Sequence, residues 1–529
     1  MIDKPLGAQL SHMLKDRGVE VIFGIPGVHN VELYRGIEEA GIKHVLARHE
    51  QGAGFMADGY ARATGKVGVA YLITGPGLCN AMTPMGQGYS DSVSMLVLSS
   101  CLERKDRSIG RGRLHEMKDQ EGAAATVCDW SVTAPDAPAA YRLVDKALSE
   151  LKSSRPRPKH IQVPIDVLGE RAPAAPAAAA IAQLPIARPD DVERVAQMMR
   201  DAKRPMFLFG GGAVAASAEA RKVVEQAQAA VFTTFAGRGV VAGSYPLNYG
   251  AYLPRPDSAS ELAKADLLLC VGTELAEVDL WRDDLGHRCP MVRVDIDTHC
   301  LADDFPADLP ILGDAKVFLS ELSGALGTHS TSEWREADVK AAKARFYSEV
   351  DAERPGIAQI AQAMQDALPE DTMYYSDMTQ FAYVAKEVVE MERAGHWHHP
   401  YAFGTLGYAL PAAIGGKVGR GDGPVVAIAG DYGFHYTMQE LGAAVELGLN
   451  MPIVLWDNAK LKEIEDAMVR SQIAPNAVVA YNPDFCKLAE AFGAYAEAPK
   501  SLEDFKSALQ NALKADKPTL VYATPEMLG

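Results

Sequence analysis

The feature that most restricts how this chain can fold is a small apolar strand, Val425-Val-Ala-Ile-Ala429, running straight into Gly430-Asp431. A helix-like segment follows, with Leu441, Val445 and Leu449 on one face, and then a second apolar strand, Pro452 to Trp456, that delivers Asp457-Asn458. Two strands joined by one crossover helix make a parallel pair, and both ends lie at the sheet edge where open α/β sheets take their ligands. A carboxylate from Asp431 and an amide oxygen from Asn458 suit a hard divalent cation such as Mg²⁺. That ion takes few protein ligands and leaves room for phosphate oxygens and water. The unit reads as a site for a magnesium-bridged diphosphate.

The same alternation recurs along the chain. Near the N-terminus, Val19 to Phe23, His44 to Ala47, Val67 to Ile73, Met95 to Leu98 and His160 to Val163 read as buried strands between helices. Residues 171–190, rich in Ala and Pro, have little to pack and mark a linker. A second series begins at Pro205 to Phe209 and a third near Thr372. The expected fold class is α/β, with three doubly wound parallel-sheet domains at 1–175, 190–340 and 355–529. At 529 residues the length agrees with about 150 residues per domain.

A net charge of −17 argues against nucleic acid or an anionic membrane as partner. No apolar run approaches the ~18 residues of a membrane span. The N-terminal stretch is an amphipathic helix without signal-peptide character, and seven scattered cysteines without a CxxC pair suit a reduced, cytoplasmic protein without zinc.

Gly430-Asp431-x-Gly433-Phe434 with Asp457-Asn458 downstream resembles the thiamine-diphosphate (ThDP) signature of the acetolactate synthase and 2-oxo acid decarboxylase superfamily. The resemblance implies that Asp431, Asn458 and the backbone carbonyl of Lys460 bind Mg²⁺. Tyr432 and Lys460 stand where the family commonly has glycine. Arg48-His49-Glu50, followed by AGFMADGYAR over residues 53–62, matches the family helix whose glutamate meets the cofactor's aminopyrimidine. Glu50 is therefore the expected catalytic acid. A lone glutamate there would otherwise be read as favouring a helix N-terminus.

Other matches extend the resemblance over the whole chain. The turns carrying Gly27, and Gly75 with Asn80, resemble those around the pyrimidine. Gln380 and Phe381 lie in a loop whose backbone amides hold the diphosphate. In residues 401–415 the match makes the Gly404 carbonyl a partner of the 4′-amino group and Leu406 the wedge that bends the cofactor. Read without the motif, Leu406 would be core. Gln120 falls where the family places an active-site glutamine, while His29 and His115 are candidate proton carriers. The tract His396-Trp-His-His399 lacks cysteine and helical spacing, and reads as a substrate entrance or solvated loop rather than a zinc site.

The implied activity is decarboxylation of a small-molecule 2-oxo acid through a C2 ylid and an enamine, with ThDP as the electron sink. In the family the two halves of each site come from different subunits, so a homodimer is the minimum and a homotetramer is common. GIPGVHNVELYRG, GRGRLHE and the acidic helix carrying Glu463 and Asp466 look most like 5-guanidino-2-oxopentanoate decarboxylases. Those carboxylates could receive a cationic side chain, or simply pair along the helix surface, Lys462 with Asp466. An acetolactate synthase-like carboligase and a non-catalytic ThDP-binding protein are the alternatives. In relatives the central domain binds FAD, ADP or nothing; Gly210 to Gly212 lack GxGxxG, and FAD is not favoured.

Overall fold

Continuous Val, Ile, Leu and Phe runs closed by glycine turns cannot sit with one face in water, so each strand must be covered on both faces. The computed structural model, which describes residues 3–327 and 332–528, meets this demand with three six-stranded parallel sheets flanked by helices. In the first, the order across the sheet is Lys43–Leu46, Val21–Gly24, Gly68–Leu72, Met95–Cys101, Lys159–Pro164, Trp130–Thr133. In the third it is Trp397–His398, Met373–Ser376, Val425–Gly430, Pro452–Trp456, Thr519–Ala523, Tyr495–Glu497. Both sheets therefore follow the order second, first, third, fourth, sixth, fifth along the chain. The middle sheet instead runs third, second, first, fourth, fifth, sixth from Asn248–Gly250 to Leu309–Leu312. The expected α/β architecture is what the chain adopts.

The segment expected as one crossover helix after Gly430 is broken into helix Asp431–Thr437, a tight turn Met438–Glu440 and helix Leu441–Glu446. The tract His396 to His399 is not a solvated loop. Trp397–His398 forms an edge strand beside Tyr374 and Tyr375, and His398 and His399 are buried. Burial of Trp397 outweighs the polarity of its neighbours, and burial holds both histidines well below their ordinary pKa.

The first and third sheets share one apolar core, closed where helix Glu50–Thr64 crosses helix Ala409–Arg420. The crossing is tight enough to need glycine on each side. A Cβ on Gly59 would lie 1.9 Å from the Ala412 carbonyl oxygen, and one on Gly415 would lie 1.9 Å from that of Met56. Tyr375 donates to the Gly59 carbonyl at 2.8 Å, and Tyr408 to Asp58 at 2.8 Å, with Arg62 bridging Asp58 and Asp91. The polar residues of the ADGYAR helix thus dock one domain on the other. Gly59→Ala is expected to cost about 3 kcal/mol or more, because backbone rather than a pliable side chain fills the space. A thermal melt reads it; an unchanged midpoint would mean that the helices cross elsewhere.

Candidate active site

At the carboxyl edge of the first sheet, three turns converge. After Val21–Gly24 the chain turns through Gly27, whose N–H donates to Asn30 Oδ1 at 2.7 Å, and Asn30 is fully buried. After Gly68–Leu72 it turns at Gly75, with φ of 70°, and a Cβ there would meet the His115 carbonyl oxygen at 2.5 Å. Glu50 opens its helix behind His49, whose Nδ1 accepts the Gln51 N–H. Asn80 donates to Glu50 Oε2 at 2.9 Å, and Gly77 leaves room beside Oε1. Glu50 has no cationic partner among the described residues.

His29 and His115 meet edge to face with ring centroids 4.7 Å apart. Both Nδ1 atoms are buried without a hydrogen-bond partner among the described residues, and His115 holds a left-handed backbone, φ 62°. Burial, then the neighbouring His115, lowers the pKa of His29. Orphaned buried nitrogens and a strained residue at a sheet edge suit a site that takes a ligand. Gln120 is placed differently. Its Oε1 accepts the Gly75 N–H at 2.8 Å, and its Nε2 donates to the Ser100 carbonyl at 2.8 Å and to Ser99 Oγ. It shapes the Gly75 turn with both ends of its amide.

The corresponding edge of the third sheet carries the other cluster. Asp431 is buried, and Asn482 Nδ2 donates both to its Oδ2 at 2.8 Å and to Asp457 Oδ1 at 3.0 Å. Tyr522 also donates to Asp457, at 2.8 Å. Neither carboxylate has a basic partner among the described residues. Burial first, and the facing Asp457, raise the pKa of Asp431, against the pull of Asn482. Two adjacent acids fed only by neutral donors fit a divalent cation. Asn458 lies alongside: its Nδ2 donates to Gln380 Oε1 at 3.1 Å, and its Oδ1 accepts the Lys460 N–H. The left-handed residue of this turn is Ala459, φ 56°, so Lys460 needs no glycine. Tyr432 lies within the ordinary helix Asp431–Thr437, half-buried, so glycine is not required there either.

Around this cluster, Gly430 and Gly433 allow close approach, since a Cβ on Gly433 would meet Asp377 Oδ2 at 2.6 Å. Asp377 accepts the N–H groups of Met378 and Gly407, each at 2.8 Å, and burial pushes its pKa up to about 6. It ties the Gln380 loop to the turn bearing Gly404, φ 67°, and Leu406. Leu406 is half-buried and outside the packed cores of the described residues, unlike the core position its apolar side chain alone suggests. The side chains of Phe381 and Phe434 are core, leaving only their backbone to a ligand.

Glu463 already accepts the guanidinium fork of Arg354, at 2.9 and 3.1 Å, together with Gln380 Nε2. Asp466 pairs with Lys462 at 2.6 Å, and Glu465 with Lys460 and Lys462. In the middle sheet, Gly210 and Gly212 donate to the Val271 and Gly272 carbonyls. Those glycines bring two strand ends together rather than leaving their amides for a phosphate. Asp377, Asn482 and Glu440 (below) escaped sequence reasoning. Asn482 lies in an aperiodic loop that carries no signal, and Asp377 sits inside a motif read only for its backbone.

Comparison with known proteins matches residues 5–123 to the N-terminal, 192–322 to the central and 377–523 to the C-terminal domain of thiamine pyrophosphate enzymes. The probable 2-ketoarginine decarboxylase AruI of Pseudomonas aeruginosa is 40% identical over 97% of this chain and 93% of its own length. The acetolactate synthase isozyme 2 large subunit of Escherichia coli is 28% identical over 99% and 96%. A probable acetolactate synthase large subunit of Methanococcus aeolicus is 28% identical over 96% and 90%.

Proposed function

Because the chain belongs to the thiamine pyrophosphate enzyme family, we propose that it uses ThDP and Mg²⁺ to decarboxylate a 2-oxo acid, with 5-guanidino-2-oxopentanoate (2-ketoarginine) as substrate. The observation that carries this reading is Glu50, a buried carboxylate held, among the described residues, by Asn80 alone at the edge where the Gly27 and Gly75 turns meet. The cofactor, when bound, supplies the electron sink that a 2-oxo acid lacks. Asp431, Asn458 and the Lys460 carbonyl would hold the cation. The amides at the start of helix Gln380–Val388 would hold the diphosphate, as helix N-termini do for anions. Glu50 would exchange a proton with the pyrimidine ring, Leu406 would support the bent cofactor, and the His29–His115 pair would hand a proton to product.

The guanidino substrate rests on the relative from Pseudomonas aeruginosa; Glu463 and Asp466 are already paired with Arg354 and Lys462 of the chain itself and lend it no support. A carboligase is the second reading, favoured by the acetolactate synthases at 28% identity. In keeping with the family, the working unit is a homodimer or homotetramer in the cytoplasm. Exposed Val469, Ile473, Val479 and Tyr481, just beyond the Asn458 motif, are the apolar surface a second copy would cover. Flavin is outside the reading, and a colourless purified protein is expected. Incubation with ThDP, Mg²⁺ and a panel of 2-oxo acids should release CO₂ fastest from the guanidino acid, leaving an aldehyde. A coupled hydroxy-oxo acid as main product would favour the carboligase, and no release from any member would end both readings.

A further inference from the structure

Glu440 is fully buried, yet no part of the reaction above uses it. It ends the turn Met438–Glu440, which follows the helix begun by Asp431. Both of its carboxylate oxygens accept the Arg48 N–H, at 3.1 and 3.0 Å, across 392 residues of sequence. The approach depends on Gly52, where a Cβ would lie 2.3 Å from Glu440 Oε1. Arg48 does not neutralise it with its side chain, which turns away to Glu446. The charged groups facing Glu440 are therefore Arg48 and Glu50 from the first domain, with the amides of Arg48 and His49 aimed at it. A carboxyl group in such a place has one local consequence: it fixes the peptide that precedes Glu50.

We propose that Glu440 is the positioning residue for Glu50, a buried acid from the C-terminal domain that locks the Arg48–Glu50 turn through its backbone amides. The proposal rests on the catalytic role given to Glu50 above. Glu50 is the first residue of its helix, so any rotation of that turn moves its carboxylate directly. A shift of about 1 Å at a reacting group costs on the order of a hundredfold in rate. Glu440 also follows closely on the metal-binding end of its own domain, so ordering at Asp431 reaches the Glu50 turn through one short helix and a tight turn. Burial pushes the Glu440 carboxyl up to about 7, with the Arg48 and His49 amides pulling the other way.

Glu440→Gln, Glu440→Asp and Glu440→Ala test this together. In the cofactor-free protein, amide hydrogen exchange of the peptide covering 46–52 is expected to quicken at least tenfold in Glu440→Ala and less in Glu440→Asp. With cofactor loaded, Glu440→Gln should lower kcat roughly tenfold to a hundredfold with KM nearly unchanged. The wild-type kcat profile is expected to carry an inflection near pH 7, which Glu440→Gln should lose. Unchanged exchange, or unchanged kcat and pH profile in Glu440→Gln, would overturn the proposal. Should the wild type fail to bind ThDP, the proposed function falls, while the exchange experiment still reports whether Glu440 holds the turn. Should Glu440→Ala fail to fold, Glu440→Asp and Glu440→Gln carry the same comparison.

Discussion

Replacing Glu50 with glutamine is expected to abolish CO₂ release, with kcat falling about 10²- to 10⁴-fold, while the protein folds and binds ThDP almost as before. Glutamine has the shape of glutamate, and its carbonyl oxygen can still accept from Asn80, as Glu50 Oε2 does at 2.9 Å. What it cannot do is exchange a proton with a bound ring nitrogen. The carboxylate has no cation to leave unpaired, so the substitution strands no buried charge and stability should change by no more than about 1 kcal/mol. CO₂ release and calorimetric titration with ThDP and Mg²⁺, measured on the same sample, separate chemistry from binding. Turnover within a few-fold of wild type would remove Glu50 from the mechanism and with it the main support for a decarboxylase. Lost turnover with lost binding would instead make Glu50 a binding group.

The central strands were legible because their sequence leaves them no alternative. Pro205–Phe209, Leu267–Val271 and Pro452–Trp456 are unbroken apolar runs bounded by turns, and they form at the expected positions. The edge strands Trp130–Thr133, Asn248–Gly250, Leu309–Leu312, Trp397–His398 and Tyr495–Glu497, and the inner strand Thr519–Ala523, were not anticipated. Most are short and mixed in polarity, since one side of an edge strand lacks a partner. Thr519–Ala523 is the exception: it is a buried inner strand, TLVYA, whose apolar run is broken by Thr and Tyr. Candidate site residues defined by motif, such as Glu50, Asp431 and Asn458, can be proposed from sequence because turn, strand end and side chain lie together in it. Their partners cannot. Glu440, Asn482 and Asp377 act through contacts with segments far along the chain, and a single sequence carries no record of such contacts. Gln120 shows the reverse limit: its position is legible in the motif, but the grip of Gly75, Ser99 and Ser100 on its amide comes from tertiary contacts that leave no local trace.

Replacing Asp431 with asparagine should move binding and stability in opposite directions. In the cofactor-free chain Asp431 and Asp457 lie side by side with Asn482 and Tyr522 as neutral donors and no cation among the described residues. Two like charges in a partly desolvated site repel, and removing one relieves the folded state. The melting midpoint without cofactor is therefore expected to rise by on the order of 2 °C. In the presence of Mg²⁺ the same change removes the only anionic member of the proposed ligand set Asp431, Asn458 and Lys460 carbonyl. Losing one charged partner from a buried site costs about 2–5 kcal/mol, so ThDP affinity should fall at least thirtyfold. Cofactor should then stabilise the wild type by mass action and the variant hardly at all. Adding a chelator should reduce wild-type melting in the presence of ThDP to the cofactor-free value, and should leave the variant where it was. This pattern separates a metal site from a structural pair of acids. If Asp431 only braced the turn, Asp431→Asn would either destabilise the cofactor-free chain or leave ThDP binding and chelator sensitivity intact.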